Sequence, residues 1–254
     1  MSAPVFLAEA SATHPLSEYA AGSVYVLDGA EGRHAGVVQR RGPGERIDVV
    51  DGAGVRLRTV VEAVHGAEVH LRVEQADVEP VPGVVVTLVQ ALAKGDRDEM
   101  AIEAATETGA DAIIPWQAER SVVVWRGDRA ARSRARWVST VRAATKQARR
   151  ARTPDVDLPL STKQLAARTR EVVGAGGAVV VLHEEATVGL ADVPLPEAGA
   201  LLVVVGPEGG ISEAEVALLT EVGAVTARLG PHVLRTSTAG PVAIALLSER
   251  LGRW

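Results

Sequence analysis

Three places in this 254-residue chain set backbone freedom or ionisable groups at the ends of apolar runs. GPEGGISEAE, residues 206–215, follows LLVVV directly. Its glycines, Gly206, Gly209 and Gly210, let backbone N–H groups approach a ligand with no Cβ in the way, and Glu208 adds a negative charge beside them. LGPHVLRTSTAGPVAIALL, residues 229–247, places a turn at Gly230–Pro231, then Arg235 and the hydroxyls of Thr236, Ser237 and Thr238, ahead of an apolar helix. A third run, AVVVL, ends at His183–Glu184–Glu185. In open α/β folds ligands bind beyond the carboxyl ends of strands, so three such tips predict one shared cleft. Arg235 and Glu208 are its candidate catalytic groups, and His232 is a weaker base candidate. Each stretch also serves as an ordinary strand-to-helix turn. Ser212 and Glu215 have the spacing of a capping box. Ser237 or Thr238 is expected to cap the last helix, with Pro241 near its first turn.

The elements that must position these tips follow from pattern. Apolar runs VVVTLVQAL, DAIIP, AVVVL, LLVVV and VTARL alternate with helical stretches from residue 84 onward. Continuous apolar runs indicate strands covered on both faces, as in a parallel α/β sheet. Before them, residues 1–75 are β-rich, with strands expected at Val24–Leu27, Ile47–Val50, Val55–Val61 and Val69–Val73 and a short helix early in 31–45. This predicts a small barrel-like domain over 1–75, a proline-containing linker over 76–83 (ADVEPVPG), and an α/β domain over 84–254.

Composition narrows the chemistry. There are no cysteines, which excludes disulfides, Cys-ligated zinc, cysteine-bound iron–sulfur clusters and thiolate catalysis. The six His show no metal-ligand spacing, and nothing argues for a metal. The start lacks the pattern of a signal peptide, and no apolar run approaches the roughly 20 residues that span a bilayer, so a cytoplasmic protein with no membrane partner is expected. The phosphate-loop Lys–Ser/Thr pair and GxGxxG are both missing, which leaves a standard nucleotide loop unsupported. The net charge is −5, yet residues 126–152 carry ten Lys or Arg against one acid, Asp128. With few i,i+4 acidic partners, that strip is best explained as phosphate-binding. Trp125 and Trp137 interleave with it and are expected to pack rather than to stack on bases.

GPEGG followed by S-x-x-E, then LGPHVLRTSTA, resembles the ribosomal RNA small subunit methyltransferase E family. ALAKGDRDEMAIEAATETGADAIIP, the ERS of Glu119–Ser121, KQARRARTPDV and the N-terminal HAGVVQRRGPGE agree with it. The resemblance implies a PUA-like β-barrel followed by a SPOUT-type α/β domain with a deep trefoil knot, and a homodimer. It implies S-adenosylmethionine-dependent methylation of N3 of a uridine in 16S rRNA, near the decoding region. It places the cofactor on Leu182, His183 and Glu184, on Gly206, Pro207, Glu208, Gly209 and Gly210, and on Leu229, Gly230, Val233, Leu234, Thr236 and Thr238. RNA is expected on Arg33, His34, Arg40 and Arg41, on Lys94 and Arg120, and on Lys146, Gln147, Arg149, Arg150 and Arg152, with 16S rRNA or the 30S subunit as partner.

The chain departs from the family pattern at four of these places: His232 for a basic residue, Ser237 for Glu, Lys146 for an acid and Arg149 for a glycine. The absence of cysteine independently excludes carbon-5 pyrimidine methylation through a covalent adduct and leaves direct displacement to nitrogen or oxygen. Ribose 2′-oxygen or guanine N1 methylation, and a non-catalytic rRNA-binding assembly factor, are the competing readings; a phosphate-binding metabolic enzyme would leave the basic strip unexplained.

Overall fold

The computed structural model describes residues 3–8 and 14–254. The chain forms two units, one of residues 1–81 with 145–153, the other of 82–144 with 154–254.

In the first unit five strands pair in the order β1 (Val5–Leu7), β3 (Arg46–Val50), β4 (Val55–His65), β5 (Glu68–Val78), β2 (Val24–Leu27). The β1–β3 pair is parallel and the others antiparallel. Alternation is clean where one face is buried: Val69, Leu71 and Val73 point inward while Arg72 and Glu74 are exposed. Phe6, Leu27, Ile47, Val49 and Leu57 complete that core. β4 and β5 outrun the expected strands, and Val78 still pairs with Val55, within the stretch expected to link. The expected helix is a short α1 (Gly29–Arg33) continued by a π-helical turn, His34–Val38.

Residues 145–153 belong to this unit. Ala151 packs with Val5, Leu7 and Val50, and the Arg152 side chain covers Gly54, where an added Cβ would sit 2.5 Å from Nη2. Arg149 has φ 56°, in the left-handed region where glycine is at ease, which accounts for the glycine that the family pattern puts there.

The second unit is a seven-stranded parallel sheet. Its main order is β12 (Val225–Ala227), β10 (Ala178–Leu182), β11 (Gly199–Val205), β6 (Val84–Ala91), β7 (Ala112–Gln117), β8 (Asp155–Val156), with β9 (Leu160–Ser161) also on β7. Successive residues of the apolar runs feed two cores. Leu201, Val203 and Val205 pack with residues of α2 (Arg97–Glu107), α3 (Asp128–Gln147) and α6 (Thr236–Arg250). Leu202 and Val204 pack with residues of α4 (Thr162–Gly174) and α5 (Glu213–Glu221). At about 1.5–3 kcal/mol per buried aliphatic side chain, the five residues 201–205 contribute on the order of 10 kcal/mol against chain entropy. Trp125 and Trp137 meet edge to face at 5.1 Å in this core, so they pack as expected.

α6 begins earlier than expected. Arg235 is its N-cap residue with no side-chain cap bond, and Ser237 and Thr238 lie inside the first turn rather than capping it. Pro241 therefore sits in the second turn. Gly240 beside it permits close packing, since a Cβ there would fall 2.8 Å from Leu88. Among the described residues no helix is long and apolar enough to cross a membrane.

Candidate active site

Because the sheet is parallel, the loops after β10, β11 and β12 leave from the same edge. Together they line a cavity of about 880 Å³, through residues 182–185, 205–211 and 228–236, with Arg97, Arg120, Glu213 and Ala239. Gly209 and Leu234 both face it. Of the residues expected to hold the cofactor, all line this cavity except Thr238, which is exposed on the first turn of α6. The expected catalytic pair, Arg235 and Glu208, lines it too.

The glycine-rich loop is held from several directions. Ser212 caps α5 and forms the expected capping box with Glu215. Glu215 is buried, and its Oε1 also accepts the Thr162 hydroxyl at 2.7 Å and the Glu119 N–H at 2.8 Å. Ser212 Oγ donates to Glu119 Oε2 at 2.5 Å. The capping glutamate thus fixes the 118–121 segment as well as its own helix. Arg120 from that segment donates to the Gly209 carbonyl at 3.0 Å. Gly206 has no room for a side chain, because a Cβ would lie 2.6 Å from Ile211 Cγ1.

Glu208 Oε1 accepts from the Lys94 backbone N–H at 2.9 Å and from Arg97 Nη1 at 2.6 Å. Burial works to raise the Glu208 carboxyl. Its own backbone N–H, the Arg97 guanidinium and the Lys94 N–H outweigh that and hold it below the usual carboxylate range. A carboxylate so held is a fixed negative charge and a poor proton acceptor. Arg97, which the sequence reading did not single out, is therefore part of the site. It lies in the KGDRDEM motif, but its pairing with a residue 111 positions later leaves no local signal. Next to it, burial raises Asp98 to about 6, against the N–H groups of Ala93 and Glu99, with the Glu99 charge adding to the rise.

The loop after β12 is different. Residues 230–235 are exposed, and Val233 and Leu234 present apolar side chains at the mouth. Its attachment to the rest of the cavity is Thr236, whose hydroxyl donates to the Gly206 carbonyl at 2.6 Å.

The residues expected to meet RNA fall into two groups. Arg33, Arg40, Gln147 and Arg149 are exposed on the first unit, as is Lys94 on the second. Others are engaged within the protein. Arg41 pairs with Glu45 at 3.0 Å, Lys146 with Glu31 at 2.6 Å, and His34 Nε2 lies 2.9 Å from Gln39 Nε2. Arg150 is half-buried. Arg152 donates to the Glu79 carbonyl at 2.6 Å and reads as a structural cation, and Arg120 faces the cavity. The basic strip is not one face, because its end (145–153) belongs to the first unit. Along α3, Arg136 pairs with Glu99, and Arg134 donates to the Val156 carbonyl. Among the described residues no cluster able to hold a metal ion occurs.

Residues 80–248 match the model of the RNA methyltransferase domain family. A ribosomal RNA small subunit methyltransferase E from Mycobacterium bovis is 50% identical over 92% of this chain and 89% of its own length. The chain belongs to the ribosomal RNA small subunit methyltransferase E family. The Bacillus subtilis member is 34% identical over 88% of this chain and 89% of its own. Among solved structures, the family member from Neisseria gonorrhoeae, bound to S-adenosyl methionine, superposes with a TM-score of 0.83 at 26% identity, covering 98% of both chains. A putative methyltransferase from Legionella pneumophila, in complex with the same cofactor, gives 0.82 at 26% identity, again covering 98% of both.

Proposed function

We propose that this protein methylates N3 of a specific uridine in 16S rRNA, near the decoding region of the small subunit, using S-adenosylmethionine. The observation that carries the reading is the single cavity into which the loops after β10, β11 and β12 converge, in a chain of this family. The cavity fits the cofactor's chemistry. Exposed apolar Val233 and Leu234 suit the adenine, and the fixed charge of Glu208 suits a cation.

The cofactor supplies a methyl group on a positively charged sulfur. The chain's residues do the rest. Arg235 stabilises the uracil anion through a carbonyl oxygen, helped by the partial positive charge at the start of α6, which it caps. Glu208, held ionised by Arg97 and the Lys94 N–H, would offer its negative charge to the sulfonium, and the N3 proton passes to His232, the other base candidate, which lines the same cavity.

In this reading the first unit is a PUA-like barrel and the second a SPOUT domain with a trefoil knot. RNA phosphates are held by the exposed cations Arg33, Arg40, Arg149 and Lys94. The protein acts in the cytoplasm as a homodimer. Val242 and Leu246, exposed one turn apart on α6, support such a face.

The test is mass mapping of 16S rRNA modifications from cells with and without the protein. Loss of one 3-methyluridine alone is expected. Loss of a ribose 2′-O-methyl or a methylguanine, or no loss, overturns the reading.

A further inference from the structure

Gln90 lies on β6, in register with Val205 of β11 and Pro115 of β7. It is fully buried at the end of an otherwise almost wholly apolar strand. Burying a primary amide there is unfavourable unless it is bonded. Its Nε2 donates to the Ala91 carbonyl at 3.2 Å and to Thr236 Oγ1 at 2.9 Å.

The proton directions follow from what each atom can do. The Ala91 carbonyl only accepts, so the nitrogen end of the amide must face it. Turning the amide over would set two acceptors against each other. Thr236 Oγ1 therefore accepts from Gln90, and its one proton goes to the Gly206 carbonyl, 2.6 Å away. Gln90 Oε1 is left buried with no partner among the described residues. An apolar residue of similar size would fill this place without an orphaned acceptor. Stability alone thus does not explain the amide.

We propose that Gln90 is a positioning residue for the cavity. It orients the Thr236 hydroxyl so that this hydroxyl holds the Gly206 carbonyl and locks the glycine-rich loop to the first turn of α6. The catalytic Arg235 is the residue before Thr236, so the same link sets where its guanidinium starts. The functional consequence rests on the S-adenosylmethionine reading above; the structural lock does not.

The test uses the full chain with Gln90→Leu, Thr236→Val and the double variant, and three measurements: thermal unfolding, amide hydrogen exchange, and KM for S-adenosylmethionine and for 16S rRNA. Gln90→Leu should keep or raise the melting temperature, yet speed exchange in 206–211 and 236–240 about tenfold. It should raise KM for S-adenosylmethionine about tenfold and leave KM for RNA unchanged. Thr236→Val should change exchange and KM in the same way but lower the melting temperature, because it leaves the buried Gln90 amide and the Gly206 carbonyl without that hydroxyl. The double variant should be no worse in exchange and KM than either single one, as for two parts of one link. Thr236→Ser, which keeps the hydroxyl, should restore the link. Wild-type exchange in Gln90→Leu, or additive effects of the two variants, overturns the proposal. If the wild-type protein binds no S-adenosylmethionine, the cofactor reading falls, and the exchange measurements still decide the lock.

Discussion

The two walls of the cavity are built differently. The loop after β11 is clamped: Arg120 holds the Gly209 carbonyl, Lys94 N–H and Arg97 hold Glu208, and Thr236 holds the Gly206 carbonyl. The loop after β12 is nearly free. Residues 230–234 make no hydrogen bond to other described residues, and Val233 is 75% exposed. A pre-formed wall lowers the ordering cost of binding, while a free one must be ordered by what binds. The lesson is a division of labour, in which one wall supplies fixed geometry and the other is left for the ligand to order.

Substitutions can break or sharpen this contrast. Gly206→Val should do most, because its side chain must displace Ile211. We expect a stability loss of about 1–3 kcal/mol by melting and roughly hundredfold weaker S-adenosylmethionine binding by calorimetry. Arg97→Ala removes one clamp of the same wall. Its ion pair is partly exposed, so stability should fall by about 1 kcal/mol or less, while cofactor affinity falls roughly tenfold. On the free wall Leu234→Ser should weaken binding about fivefold with stability unchanged within about 0.5 kcal/mol. A matching loss of stability would show that this wall is also pre-formed.

Asp98 tests the support beneath the clamped wall. Its folded-state pKa, about 6, lies above the ordinary 3.8. The folded protein therefore binds more protons than the unfolded chain between about pH 4 and 6. Wild-type stability should fall relative to Asp98→Asn as pH rises through that window, by on the order of 1 kcal/mol, and the difference should be flat above it. Melting both proteins from pH 4 to 7.5 checks the sign. Outside both walls, Arg149→Gly removes a cation at a position where glycine is at ease. Stability should hold or rise by about 0.5–1 kcal/mol. RNA affinity should fall, and its logarithmic salt slope should shrink by about 0.7–0.9.

The sequence made the second unit legible because both of its signals are local. Unbroken apolar runs marked the strands of a sheet covered on both faces, and Ser212 with Glu215 marked the start of α5 within four residues. The cavity was legible for the same reason, since each lining loop begins where such a run stops. What escaped notice depends on distance along the chain. Arg97 meets Glu208 across 111 residues, and Gln90 meets Thr236 across 146. The start of α6 was misplaced because three consecutive hydroxyl residues all resemble caps, and the backbone alone chose Arg235. The basic strip looked uniform because charge counting cannot see that Arg152 is spent on the Glu79 carbonyl.

Residues 145–153 belong to the first unit although 63 residues of the second precede them in the chain. Expressing residues 1–81 alone would therefore leave Val5, Leu7 and Val50 without Ala151, and the Glu79 carbonyl without Arg152. The N-terminal portion is not a separable cassette: moving it to another protein means carrying the nine-residue return segment along with it.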